Sequence, residues 1–459
     1  MNTYEKNYWG LYLDFLTAFR EWKYHNLPLS LCVHFPTMIN GMAGLEQSLV
    51  DSSYAKSWSD GKVLQGRFEA FLPIKEAVKV NHGKVVYYDP LLGIPPSSYK
   101  QLSSPAESLI LKPDITNVKK KQIDGAVIKG LSQYAADIEG QARKEIKRFH
   151  SIAGKHKNHP LFGNRHFLLA IKKQIEKILY FIEGTERFLM EVDTSLIVFG
   201  ETNSIDTRAL ALAARKKGIP TLCLQHGAVI SPFGYLPKVT DYQGVYGRYE
   251  QTLYESRGVD PDFLPILGHP RFDEMVTRNN LRASSFNKTL GIHPSRKRIL
   301  LIDHHTDKKM THQILDLLLV TAPEVELIVK IKKGVRAFNG YAKHKRVHLI
   351  RRMHLYDMLP NVDAVISYES TVVLESMLYG RENFVWKLKQ PCLTDYFTQL
   401  PVLTYSTAEP LVEEVRTFLN KRSDRSGQQS VQLRERFYIP SHQKSTLLLK
   451  ALIAYLRTS

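Results

Sequence analysis

One stretch, from Ser195 to Asp273, constrains the fold of this chain more than any other. SLIVFGE (195–201) is an unbroken apolar run of strand length. DTRALALAARKKG (206–218) has apolar residues at helical spacing and stops at a glycine. PTLCLQHG (220–227) is a second apolar run, ending in Gln-His-Gly, and ILGHPRFD (266–273) closes the stretch. Strand, helix and strand in close succession predict a right-handed crossover between parallel strands. Parallel strands are buried on both faces, which is why these runs are continuous rather than alternating. Ligands of open parallel sheets sit beyond the C-terminal strand ends, so His226 stands where chemistry is expected.

The same grammar recurs along the chain. LSLCVHF (29–35) and VVYYD (85–89) predict strands, and residues 115–190 read as mostly helical, with a basic break from Gly154 to Gly163. After Asp273 a second series begins: RILLIDHH (298–305), THQILDLLLVTA (311–322), VELIVKIKKG (325–334), VHLIRR (347–352), AVISYES (364–370), TVVLESMLYG (371–380) and NFVWKL (383–388). Segments 407–421 and 442–457 are amphipathic helices. The expected architecture is α/β, with two domains in series facing each other across a cleft and a helical insertion in the N-terminal half. Their bounds are 1–265 and 266–430, with 431–459 packing back on the first domain.

A chain of 459 residues exceeds one ordinary core, and 43% hydrophobic with 24% charged residues fits a folded protein rather than a disordered one. No apolar run reaches about 18 residues without a charge, and MNTYEKNYWG lacks the basic and apolar regions of a signal peptide. Cys32, Cys223 and Cys392 lie far apart, as buried reduced thiols would. A cytoplasmic location is expected. Lys and Arg exceed Asp and Glu by 63 to 45, a net charge of +18 that favours polyanionic partners. No arginine-rich tract, zinc finger or helix-turn-helix signature accompanies it, so a phosphorylated substrate and an anionic membrane surface account for the charge better than specific nucleic-acid reading. The aromatic N-terminal segment (residues 1–25) has two readings: an interfacial helix on that membrane, or a helix packing its aromatic face on the first domain.

Within SYESTVVLES, Ser367 ends a strand while Ser370 and Thr371 open a helix. Hydroxyls and unpaired N–H groups at a helix start suit phosphate, although Ser370 or Thr371 is equally an N-cap. Glu375, one turn on, and Glu369 are carboxylates able to accept hydrogen bonds from ribose hydroxyls. His226, with a side chain of ordinary pKa near ~6.5, can take a proton from an acceptor hydroxyl. Adjacent His304 and His305 in DHHTD point to opposite strand faces, so only one can meet a ligand and no metal cluster is expected. His269 is assigned no chemistry. Gly41 and Gly44 in the INGMAGLEQS loop permit close backbone approach, as an acceptor-binding loop or as a tight turn.

QHG (225–227), LGHPRFD (267–273) and ISYESTVVLESMLYG (366–380), in this order, resemble the GT-B family of nucleotide-dependent glycosyltransferases. The closer likeness is to bacterial CDP-glycerol glycerophosphotransferases and to capsule or surface-polysaccharide glycosyltransferases. It covers roughly residues 195–388. The resemblance implies two Rossmann-like domains of GT-B type, the first presenting an acceptor and the second holding a nucleotide donor. It implies Ser367, Ser370 and Thr371 on the donor diphosphate and Glu375 on the ribose. Lys330 or Lys332 would stand on the leaving phosphate, where negative charge builds, and Arg271 would be a phosphate ligand or a hinge arginine. The partners implied are a nucleotide-sugar or CDP-glycerol donor and a glycan or lipid-linked acceptor, with no cofactor or metal. The alternatives are a UDP-sugar 2-epimerase of the same architecture, whose extra acidic residues are not evident here, and a non-catalytic basic protein that binds membrane or polyanion.

Overall fold

The computed structural model describes residues 1–40, 42, 45–50, 60–77, 82–304, 307–332, 334–388, 393–420, 436–440 and 443–458. The chain divides into two compact units. The first comprises Met1–His226, Pro232–Arg271 and His442–Ser459, and the second Gly227–Ser231 and Phe272–Ser441.

In the first unit a short hairpin, β1 (Lys23–Tyr24) and β2 (Leu27–Pro28), precedes a seven-stranded sheet. Its strands are β3 (Lys84–Tyr88), β4 (Ser108–Lys112), β5 (Gln122–Ile123), β6 (Ala126–Gly130), β7 (Thr194–Phe199), β8 (Thr221–Leu224) and β9 (Tyr242–Gly244). They lie in the order β5-β6-β4-β3-β7-β8-β9, and every pairing except the β5–β6 hairpin is parallel. Without that edge hairpin strand the order is 3-2-1-4-5-6, the doubly wound arrangement, with its reversal between β3 and β7. Both faces need cover, so β7 is buried at every residue. Val85, Tyr87, Leu196, Val198 and Leu222 form one core with Leu449, Ile453 and Leu456 of the terminal helix Ser445–Thr458.

The second unit repeats the arrangement with β10 (Lys297–Ile302), β11 (Val325–Lys330), β12 (Val347–Ile350), β13 (Ala364–Tyr368), β14 (Glu382–Trp386) and β15 (Thr404–Tyr405). The order β12-β11-β10-β13-β14-β15 is again 3-2-1-4-5-6, and all pairs are parallel. Alternate residues serve opposite layers. Ile299, Leu301, Val329 and Ile366 pack on Ile314 and Leu318 of the Lys308–Thr321 helix and Leu411 of the Ala408–Asn420 helix, whereas Leu300, Ile302, Ile328 and Val365 pack on Phe286, Tyr356 and Leu359.

One expectation changes, a second is refined, and a third is decided between its two readings. LSLC is one helical turn, Leu29–Cys32, rather than a strand. Buried on all sides, a run this short has no periodicity to separate the two forms. The 115–190 region is not helical throughout, since β5 and β6 occupy its start before helices Glu139–Lys155 and Arg165–Glu191. The Asp124–Gly125 turn joining β5 to β6 has φ of 49° and 85°, and Asp-Gly is the dipeptide that such a hairpin turn demands. The N-terminal helix Thr3–Ala18 is packed, with Tyr8, Trp9, Tyr12, Phe15 and Leu16 buried against Phe35, Phe68, Phe162 and Phe233. Its aromatic face is therefore not presented to a membrane. Among the described residues no helix is long and apolar enough to cross a membrane.

Candidate active site

β8 delivers Gln225 and His226 to its C-terminal end. Gln225 is fully buried; its amide donates to Glu250 Oε1 at 2.9 Å and its carbonyl oxygen accepts the Tyr246 N–H at 3.1 Å. Glu250 Oε2 also accepts the Gly247 N–H at 3.1 Å, and burial pushes the Glu250 carboxyl up to about 8. This buried clasp ties the end of β8 to the turn after β9 and fixes where His226 begins.

His226 is held at three atoms. Its N–H donates to the Tyr235 hydroxyl at 2.9 Å, its carbonyl accepts from Arg271 Nη1 at 2.9 Å, and Nδ1 lies 2.8 Å from the Gly200 carbonyl oxygen. A carbonyl can only accept, so in the tautomer that meets Gly200 the proton is on Nδ1 and Nε2 keeps the lone pair; the Tyr235 hydroxyl oxygen lies 2.7 Å from the same Nδ1. Nε2 makes no hydrogen bond among the described residues. Burial holds the ring below the ordinary histidine pKa and the neighbouring Arg271 lowers it further, while the Gly200 carbonyl and Glu201 oppose. The ring is therefore neutral at neutral pH, as a base must be.

Gly200 has to be glycine. A Cβ there would lie 2.3 Å from Leu92 N, because the loops after β3 and β7 meet where the sheet order reverses. Glu201 caps the Ile205–Lys216 helix, accepting the Ser204 N–H at 3.0 Å and hydroxyl at 2.5 Å. Arg271 joins the His226 carbonyl to the Tyr246 hydroxyl (2.9 Å) and lies over the Tyr246 ring, a bracket for the histidine. His269 is fully buried, donates from Nε2 to the Leu92 carbonyl at 2.8 Å, and accepts the Arg271 N–H at Nδ1.

In the second unit the C-terminal ends of β10, β11 and β13 carry the other residues. Ser370 caps the Thr371–Leu378 helix, its oxygen accepting the Val372 N–H at 3.3 Å. The Thr371 hydroxyl accepts the Ala228 N–H at 2.9 Å, and a Cβ on Gly227 would lie 3.0 Å from that oxygen. The glycine of Gln-His-Gly thus answers to Thr371. Ser367 is fully buried and its hydroxyl donates to the Tyr368 carbonyl, which withdraws it from a ligand and leaves the helix start to Ser370 and Thr371. Glu375 is buried and accepts from the Tyr356 hydroxyl at 3.0 Å. Glu369, raised in pKa by burial, accepts the Leu388 N–H. Lys330 donates to the Met353 carbonyl and burial lowers its pKa, while Lys332 is exposed beyond the strand. His304 packs edge-on against Tyr368. His305, Gly41 and Gly44 lie outside the described residues, among which no cluster of three or more His, Cys, Asp or Glu is arranged for a metal.

No protein-family model matches the sequence, and no curated protein matches it. Solved structures do. The UDP-GlcNAc 2-epimerase from Neisseria meningitidis bound to UDP-GlcNAc superposes with a TM-score of 0.51 at 13% identity, over 82% of this chain and 99% of that one. The MnaA–UDP structure from S. aureus gives 0.50 at 12% identity, over 82% and 96%. The fold is of the GT-B type. At such identities the likeness concerns fold alone, and the two 3-2-1-4-5-6 sheets are its substance. Sequence pattern did not single out Gly200, Tyr235 or Tyr356. A glycine closing an apolar strand was a usable signal for Gly200, whereas nothing local marks the two tyrosines.

Proposed function

We propose that this GT-B chain is an enzyme acting on a nucleotide-activated sugar or glycerol phosphate, transferring it to a glycan or lipid-linked acceptor in surface-polysaccharide assembly. The observation that carries the reading is His226, a half-buried neutral ring that, with its Nδ1 proton on the Gly200 carbonyl, presents an Nε2 lone pair to a substrate hydroxyl. In the proposed step Nε2 takes the acceptor proton. The hydroxyl oxygen forms a bond to the donor's reacting centre, and the bond to the nucleotide's phosphate breaks with its electrons leaving on that phosphate. Glu375 would hold the ribose, the Ser370–Thr371 helix start the phosphates, and Lys330 or the exposed Lys332 the charge that builds on the leaving group. Arg271 would act through His226. No metal or cofactor is required by this chemistry. The net charge of +18 supports an anionic surface as the place where a lipid-linked acceptor is met.

A second reading is a UDP-sugar 2-epimerase, supported by the two solved structures, which hold UDP-GlcNAc and UDP. Against it, Glu201 beside His226 is already committed to a helix start, so an acid to accompany the base is not at hand there.

The test is calorimetric titration with UDP, UDP-GlcNAc and CDP-glycerol, together with turnover in the presence and absence of acceptor. Nucleotide binding by both wild type and His226→Ala, with turnover by wild type alone, is expected. Turnover retained in His226→Ala removes the base assignment. Consumption of nucleotide sugar without acceptor favours the epimerase, and no binding at all leaves the polyanion-binding alternative.

A further inference from the structure

Two groups claim one nitrogen of His226. Nδ1 lies 2.8 Å from the Gly200 carbonyl oxygen and 2.7 Å from the Tyr235 hydroxyl oxygen. An imidazole nitrogen has one in-plane site, either a proton or a lone pair. With the proton on Nδ1 the ring serves Gly200, and Nε2 presents a lone pair. With the lone pair on Nδ1 it serves Tyr235, and Nε2 carries the proton.

Each arrangement orphans one partner. The Tyr235 oxygen already accepts the His226 backbone N–H at 2.9 Å, and among the described residues Nδ1 is the sole acceptor within reach of its hydrogen. Tyr235 is buried, so a phenol hydrogen left unmet costs free energy, and so does an unmet Gly200 carbonyl. The two costs are of the same kind, so the two tautomers compete for Nδ1. We infer that Tyr235 is a positioning residue that competes with the Gly200 carbonyl for Nδ1, and thereby sets whether His226 offers a lone pair or a proton at Nε2.

The inference deepens the proposed function and rests, for its catalytic consequence, on the reading of His226 as the base. Once Nε2 has taken a proton from an acceptor, Nδ1–H must donate, and Gly200 is its acceptor. The imidazolium is reset when Nε2 gives its proton to water. In the Nε2–H tautomer, with Tyr235 donating to Nδ1, the same ring presents a proton donor instead of a base. Only the first tautomer can accept a proton at Nε2, so an equal mixture lowers the ring's effective basicity about twofold. The charged groups that bear on this ring are Glu201 and Arg271, with the neutral His269 beyond.

The test reads the ring itself, without substrate, in the full chain labelled with 15N-histidine; the His226 signals are those missing from His226→Gln. Wild type is expected to show averaged nitrogen shifts and two-bond couplings, intermediate between the tautomers. Tyr235→Phe is expected to move them to the pure Nδ1–H form and to raise the ring pKa. Tyr235→3-fluorotyrosine, a stronger donor of similar size, is expected to move them toward Nε2–H, and it keeps the question answerable if Tyr235→Phe fails to fold. Unchanged shifts in either folded variant overturn the inference. If turnover is measurable, the acid limb of its pH profile should move upward in Tyr235→Phe. Shifts that respond while no turnover is ever found would overturn the proposed function and leave the tautomer competition standing.

Discussion

Buried His269 has both ring nitrogens met, whereas half-buried His226 has only Nδ1 met among the described residues. His269 has one donor contact and one acceptor contact, both to backbone of its own unit, and burial pushes its pKa down to about 3. The sign of the consequence is fixed. Between pH ~6.5 and ~3 the unfolded chain binds a proton that the native chain refuses, so stability is complete above that window and is lost as pH falls through it. The slope approaches about 1.4 kcal/mol per pH unit for one such group. His269→Gln keeps one donor and one acceptor without the titration. Its urea midpoint is expected to fall less steeply than that of wild type from pH 6.5 to 4.5, and parallel slopes would show that His269 does not carry this acid sensitivity. His226 contributes in the same direction, and its Nε2, unlike that of His269, makes no hydrogen bond among the described residues.

Among the elements, the N-terminal helix Thr3–Ala18 shows what pattern can and cannot tell. Its aromatic spacing predicts a helix, with the core of the first domain favoured over a membrane surface as its destination. The choice is made by Glu5, which is fully buried and accepts from Arg257 Nε and Nη2 at 3.0 and 2.9 Å and from Trp9 Nε1 at 3.2 Å. A partner 252 residues away leaves no trace in local sequence. Glu5→Ala strands the guanidinium and is expected to destabilise the first unit by about 3–5 kcal/mol, while Glu5→Leu combined with Arg257→Met recovers most of the loss. Chemical denaturation checks both, and a mild single variant would make the pair a surface contact. The parallel strands were legible because a strand buried on both faces carries an apolar run, as LIVF of β7, LCL of β8, ILLI of β10 and AVI of β13 are. LSLC was not, since three apolar residues and a serine buried all round suit either a strand or a helical turn. The β5–β6 hairpin was legible and overlooked, for Asp124–Gly125 carried its signature. The placements of His226 past a strand end, Thr371 at a helix start and Glu375 one turn on were legible in the pattern. Their partners Tyr235, Ala228 and Tyr356 were not, because contacts across loops are made by tertiary packing.

For the whole molecule the decisive fact is that each unit has its own doubly wound sheet and its own core. The residues proposed for the nucleotide, Ser370, Thr371, Glu375 and Lys330, all belong to the second unit, and the proposed base belongs to the first. A ligand that binds only the native form stabilises the unit that holds it by about 2.7 kcal/mol at a hundredfold excess over its Kd. Differential scanning calorimetry with UDP is therefore expected to raise the transition of the second unit. His226→Ala should leave that increment intact, since it removes no nucleotide contact. Glu375→Gln should reduce it, because a neutral amide beside the Tyr356 hydroxyl accepts less strongly from a ribose than a carboxylate does. If His226→Ala abolished the increment while Glu375→Gln kept it, the nucleotide would belong to the strand ends of the first sheet, and the roles of the two units would be exchanged.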